Sequence, residues 1–179
     1  MASFNATFFE WIFAFGLNSI LILIAQRLPL LTKGGWINAG ILGTLLWGCL
    51  GWQGWISVVL YLLFGSLVTK LGFAQKKLAG IAEARDGRRG PENVWGSAAT
   101  GLFLAILFKL TIGIENILLI GFAASFSAKL ADTFGSEIGK RWGGRTVLIT
   151  SFKPVRPGTD GGITLEGTCA SLFGSFLMS

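Results

Sequence analysis

Two carboxylates, Asp132 and Glu137, stand at the end of an apolar stretch in Ala131-Asp132-Thr133-Phe134-Gly135-Ser136-Glu137-Ile138-Gly139. A basic, glycine-rich run follows: Lys153-Pro154-Val155-Arg156-Pro157-Gly158-Thr159-Asp160-Gly161-Gly162. Carboxylate oxygens are the protein ligands Mg²⁺ takes. Backbone N–H groups of glycine-rich turns form concavities that bind anions, and arginine grips phosphate oxygens in pairs. The two runs therefore carry the inventory for a metal-bound phosphate, as in phosphoryl transfer. Asp132 and Glu137 are the candidate metal ligands. Arg145, Lys153, Arg156 and the loop Gly158, Thr159, Asp160, Gly161, Gly162 are the candidate phosphate binders. No GxxxxGK[ST] phosphate loop occurs. The chain also has no His, which removes the usual general base near neutral pH and disfavours zinc chemistry.

The elements that hold these residues are membrane helices. Of 179 residues, 52% are hydrophobic and 13% charged, far below the ~25% charged of soluble domains. The 26 Gly and 7 Trp suit a bilayer, where glycine is frequent in spans and Trp gathers at interfaces. The composition indicates a single all-α, polytopic integral-membrane domain over 1–179. A span needs about 20 apolar residues. Stretches near 8–26, 34–52, 54–70, 96–113 and 115–135 qualify, and 162–179 is marginal, giving about six. Lys and Arg fall in the first, third and fifth loops, whereas the loops at Gly51 and Gly113 carry none. Such alternation places the basic loops on the cytoplasmic side and the N-terminus opposite. The net charge of +6 thus reports orientation, and nucleic acid is not an expected partner. No basic residue precedes the first apolar run, so a cleaved signal peptide is not expected. Cys49 and Cys169, isolated in apolar runs, read as small packing residues.

In the fifth span Gly121, Ser125, Ala128, Asp132, Gly135 and Gly139 recur at helical spacing, a small-residue face that lets helices approach closely. Packing explains the glycines but not Asp132, which is costly near a bilayer without a partner. Lys129, one turn earlier, is either that partner or a functional charge. Five residues rotate a helix by about 140°, so Asp132 and Glu137 share one ion only if the helix breaks near Gly135. Otherwise one binds metal and the other orients a basic residue. The third loop, 70–95, opens with a stretch suited to a short interfacial helix and carries turn signals at Asp86-Gly87 and Gly90-Pro91. Its cations bind either anionic lipid or a substrate.

The spacing Asp132-x-x-Gly135-x-x-x-Gly139-x-x-x-Gly143 resembles the DxxAxxxGxxxG cytidine-nucleotide signature of dolichol and phytol kinases, with Gly135 in place of Ala. Glu166-Gly167-Thr168 looks like the EGS that follows it. Ala131-Asp132-Thr133, Ser136-Glu137-Ile138-Gly139, Lys153 and Gly158–Gly162, with Arg89-Gly90-Pro91-Glu92-Asn93-Val94-Trp95-Gly96-Ser97-Ala98-Ala99, closely resemble the membrane-bound phytyl-phosphate kinase family. The resemblance covers roughly 70–175. It implies that Asp132, Lys153 and Arg156 are catalytic. It makes Gly135, Ser136, Gly139, Gly143, Arg145 and Gly158 to Gly162 nucleotide-binding. Arg85, Arg88, Arg89 and Asn93 become grips for the donor or acceptor phosphate, with the 70–95 and 136–162 loops forming the active site. The implied reaction is Mg²⁺-dependent transfer of the γ-phosphoryl of a nucleotide, CTP or another NTP, to phytyl phosphate. The product, phytyl diphosphate, feeds tocopherol and phylloquinone synthesis in a photosynthetic membrane, cytoplasmic or plastid-type. Family members continue through further helices, so a shortened C-terminus and a homo-oligomer are expectations for this chain.

Other polyprenyl-phosphate kinases, a lipid cytidylyltransferase, and, in another class, a transporter or lipid-binding scaffold are the alternatives. Glycine-interrupted spans suit transport, but the charges gather at one face and no inverted repeat is visible.

Overall fold

A computed structural model describes residues 2–179, with side chains from Phe8 onward. Six α-helices follow in order: α1 (Ala2–Ala25), α2 (Lys33–Lys70), α3 (Phe73–Leu78), α4 (Pro91–Leu110), α5 (Glu115–Trp142) and α6 (Leu165–Phe176). Two short strands, β1 (Val147–Leu148) and β2 (Gly162–Ile163), pair antiparallel within the fifth loop. Four helices, α1, α2, α4 and α5, are long and apolar enough to cross a membrane. Side chains such as Phe9, Ile24, Ile37 and Ile120 on these helices are exposed, and the bilayer covers them. The chain divides into two compact units, Met1–Leu60 with Arg88–Phe126, and Tyr61–Gly87 with Ser127–Ser179. The 70–95 loop is thus shared between them.

In the first unit, α2 contains non-helical backbone at Gly51, with φ 69° and ψ −160°. A straight helix would separate Gly43 from Trp55 by about 18 Å. Instead Trp55 Cδ1 lies 3.3 Å from where a Gly43 Cβ would stand, and the Trp47 and Trp55 rings are 5.7 Å apart. The chain turns back at Gly51, a left-handed position open to glycine. α2 is therefore a helical hairpin, matching the two expected spans 34–52 and 54–70. Asn18 closes the polar network beneath it. Its Nδ2 donates to the Ala14 carbonyl at 2.8 Å, and its Oδ1 accepts from Trp55 Nε1 at 3.0 Å. The expected turn at Gly90-Pro91 starts α4, where Asn93 Oδ1 accepts from the Gly90 N–H at 2.9 Å and Pro91 takes the first helical position.

In the second unit, Lys76 of α3 is 1% exposed and Glu137 of α5 is 2% exposed. Lys76 Nζ donates to Glu137 Oε2 and, at 2.8 Å, to the Thr69 carbonyl in the last turn of α2. That carbonyl has no partner within its own helix, and a cation suits the negative end of the helix dipole. One ammonium thus fastens the end of α2, α3 and α5 together. α6 packs on α5 through small residues. A Cβ at Gly167 would stand 2.7 Å from the Gly135 carbonyl oxygen and 3.3 Å from Gly139 Cα, so the two backbones touch. Gly135 and Gly139 of the expected small-residue face make this contact, whereas Gly121 stands against Leu104 and Ser125 against Gly101 of α4.

Three expectations change. The sixth stretch, 162–179, forms a helix of 12 residues, about 18 Å long and short of a span, because Gly162–Ile163 is taken by β2. The short helix of the third loop does not simply lie at an interface, since its Lys76 is buried. Cys169 is exposed and Cys49 half-buried, both unpaired, so Cys169 is not a packing residue.

Gly167→Ala is expected to cost about 1–3 kcal/mol by overpacking, read as a lower melting temperature in detergent. Gly96→Ala, where nothing lies within 4 Å, should be neutral or stabilising. Lys76→Met leaves a buried carboxylate without its main partner and is expected to cost on the order of 3 kcal/mol. Pairing it with Glu137→Gln should recover most of that loss in the same melting experiment.

Candidate active site

A cleft of about 480 Å³ opens in the second unit, between the C-terminal turns of α5, the fifth loop and the start of α6. From the helix signature, Asp132, Gly135, Ser136 and Gly139 line it. From the basic loop, Gly158, Thr159, Asp160, Gly161 and Gly162 line the opposite wall. Residues nineteen or more positions apart in sequence thus face one space.

The fifth loop reaches this position by folding on itself. β1 pairs with β2, and Val147 also bridges Pro154. The Thr146 carbonyl accepts from the Val155 N–H at 3.0 Å, and the Gly161 carbonyl from the Ile149 N–H at 2.9 Å. Gly158 and Gly161 hold φ values of 85° and 73°, conformations that favour glycine. The loop rests on the third loop at Gly158, where a Cβ would lie 2.9 Å from Ile81 Cγ2.

α5 runs unbroken from Glu115 to Trp142, so Asp132 and Glu137 point different ways. Asp132 is exposed and lines the cleft; Glu137 is buried against Lys76, with Lys140 Nζ 3.6 Å from its other oxygen. The structure therefore does not bring the two expected metal ligands together. Glu137 instead stands between two basic side chains, Lys76 and Lys140. Lys129 is exposed and makes no ion pair with Asp132 among the described residues.

The expected phosphate-binding cations are not among the cleft's lining residues. Arg145, Lys153 and Arg156 are exposed on the fifth loop and do not line the cleft; nor does Gly143, which packs on Thr164. Arg85 lies in the 3₁₀ turn Arg85–Gly87 of the second unit. Arg88, Arg89 and Asn93 belong to the first unit. There the Arg89 backbone pairs with Leu31, and Asn93 caps α4.

Sequence reasoning missed Lys140, Thr146, Thr164 and Ser171, all of which line the cleft, as do Gly167 and Thr168 of the EGS-like run. Thr164 had a legible signal: a threonine just before an apolar run is an N-cap. It accepts from the Gly167 N–H at 3.0 Å and opens α6 at the cleft, so the positive end of that helix meets the site. Thr146 is 6% exposed, and its Oγ1 has no hydrogen-bond partner. Nothing local in the sequence marks it; its place depends on the pairing of loop strands.

The lining carries one ammonium, Lys140, and two carboxylates, Asp132 and Asp160. Such a wall repels a bare polyphosphate and suits one that arrives with a divalent cation. Among the described residues no three His, Cys, Asp or Glu side chains converge on a point. Mg²⁺ is commonly held by one or two carboxylates plus the phosphates themselves, and Asp132 and Asp160 are the cleft's carboxylates of that donor type.

The integral membrane protein DUF92 family matches residues 16–179 of the chain. Uncharacterized membrane protein sll0875 of Synechocystis sp. is 47% identical over 167 residues, covering 90% of this chain and 64% of that protein. Protein VTE6, chloroplastic, of Arabidopsis thaliana is 41% identical over 169 residues, covering 90% of this chain and 50% of its own length. Uncharacterized membrane protein MJ0933 of Methanocaldococcus jannaschii is 34% identical over 159 residues, covering 89% and 64%. The chain spans from half to just under two thirds of the length of these relatives. No solved structure matches it. With a match that begins in its first span and runs through the cleft to Ser179, the chain belongs to the integral membrane protein DUF92 family.

Proposed function

We propose that the protein is an isoprenyl-phosphate kinase that moves the γ-phosphoryl group of a nucleoside triphosphate, CTP, onto phytyl phosphate. The carrying observation is the single cleft in which the signature residues Asp132, Gly135, Ser136 and Gly139 face the loop Gly158 to Gly162. The likeness of those runs to the phytyl-phosphate kinase family and the 41% identity to Protein VTE6 support the same reading. It places the protein at a step toward tocopherol and phylloquinone.

The chemistry asks little of acid–base groups. An oxygen of the acceptor phosphate forms a bond to the γ-phosphorus as the bond to the β,γ-bridging oxygen breaks. Nucleoside diphosphate leaves and isoprenyl diphosphate remains. A phosphate monoester is already largely ionised at pH 7, so no base has to remove a proton, and a chain without His is adequate. Mg²⁺ held by Asp132 and Asp160 would neutralise charge on the nucleotide phosphates. The protein's own part is alignment and charge stabilisation. Glycine N–H groups of the 158–162 loop and the start of α6 receive phosphate oxygens. One face of α6, with Thr164, Thr168 and Ser171, lines the cleft. The other carries exposed Leu165, Leu172, Phe173 and Phe176. An ionic head joined to a hydrocarbon tail suits that division.

In detergent, with Mg²⁺, CTP and phytyl phosphate, the expected result is one CDP released per phytyl diphosphate formed. Asp132→Asn should lower kcat on the order of a hundredfold. Pyrophosphate release with CMP retained on the lipid would replace this reading by a cytidylyltransferase, and full activity of Asp132→Asn would overturn the role given to that carboxylate.

A further inference from the structure

We infer that Lys140 is the side chain that grips the polyphosphate in the cleft, and that Glu137 is a positioning residue acting through it. This rests on reading the cleft as a nucleoside triphosphate site. Lys140 alone among the Lys and Arg residues lines the cleft. It lies four residues after Ser136, on the same helix face, and one residue after Gly139, both lining residues.

Its surroundings steer the ammonium without quenching it. Nζ lies 3.2 Å from Glu83 Oε1 and 3.6 Å from Glu137 Oε1. The second distance is too long for a hydrogen bond, because Lys76 holds the Glu137 carboxylate by its other oxygen. An ammonium has three protons to donate. With one directed to Glu83, the remaining donors are available to a ligand. The Lys140 side chain is 23% exposed, and the lining residues show where that exposure faces. Buried Lys76 thus fixes Glu137, Glu137 and Glu83 aim Lys140, and Lys140 supplies the positive charge on a wall that otherwise carries Asp132 and Asp160.

The experiment is calorimetric binding of MgCTP to the full chain in detergent, with melting curves recorded with and without the nucleotide. Lys140→Gln is expected to weaken binding about ten- to a hundredfold, the loss of one charge-assisted contact. Lys140→Arg should restore affinity to within about threefold, since it keeps the charge and the donors. A Lys140→Gln protein that binds MgCTP as tightly as the wild type, even while melting lower, overturns the inference and leaves Lys140 a structural tie. A wild-type protein that melts cooperatively yet binds no MgCTP overturns the reading of the cleft itself, and the inference with it.

Discussion

The buried contact between Lys76 and Glu137 is the constraint on which the second unit depends. Two charges at 1% and 2% exposure carry a desolvation penalty that only close pairing and added hydrogen bonds offset. The Thr69 carbonyl provides the added bond. Because neither partner can shift without stranding the other, the end of α2, α3 and the last turns of α5 keep one relative position. α5 presents Asp132 to the cleft and Glu137 to Lys76 from a single unbroken helix. Two carboxylates that look equivalent in sequence are thereby assigned opposite tasks by a rotation of about 140°.

Downstream of that contact, small residues shape the site. Gly135, Gly139 and Gly167 let α5 and α6 meet backbone to backbone, which carries the N-terminus of α6 to the cleft. The glycines of the nucleotide-like signature thus act first by removing bulk. Gly158 and Gly161 act by conformation, holding the loop in turns that give the opposite wall its curvature. The wall's charge is mixed, with one ammonium and two carboxylates, which is the charge balance the proposed metal-nucleotide ligand calls for.

Much of this was legible in the sequence, for identifiable reasons. The reversal at Gly51 showed as an uncharged glycine between two apolar runs, and Gly90-Pro91 as a turn, which the structure uses to start α4. The signature Asp132 to Gly139 and the loop 158–162 each read as functional, and the structure places them in one cleft. The partner of Glu137 was not legible. Lys76 sits in a basic loop beside Lys77, which is two-thirds exposed in a surface pair with Asp86. Nothing local distinguishes the buried lysine from its neighbour, since burial is decided by α5, sixty-one residues away. The same limit applies to Arg145, Lys153 and Arg156. Composition marks the loop as basic, but the pairing of β1 with β2 decides which side chains face the cleft.

The central claim is that Asp132 belongs to the ligand site and Glu137 to the framework. Electron paramagnetic resonance of Mn²⁺, titrated in the presence of CTP, tests that division most directly. In the Asp132→Asn protein the bound-metal signal should vanish while the melting curve stays near that of the wild type. In the Lys76→Met/Glu137→Gln protein, where the buried pair is neutral, the bound-metal signal should persist, with nucleotide affinity lowered by no more than Lys140→Gln lowers it. Retention of the signal without Asp132, together with its loss in the folded double variant, would contradict the account and return Glu137 to the metal.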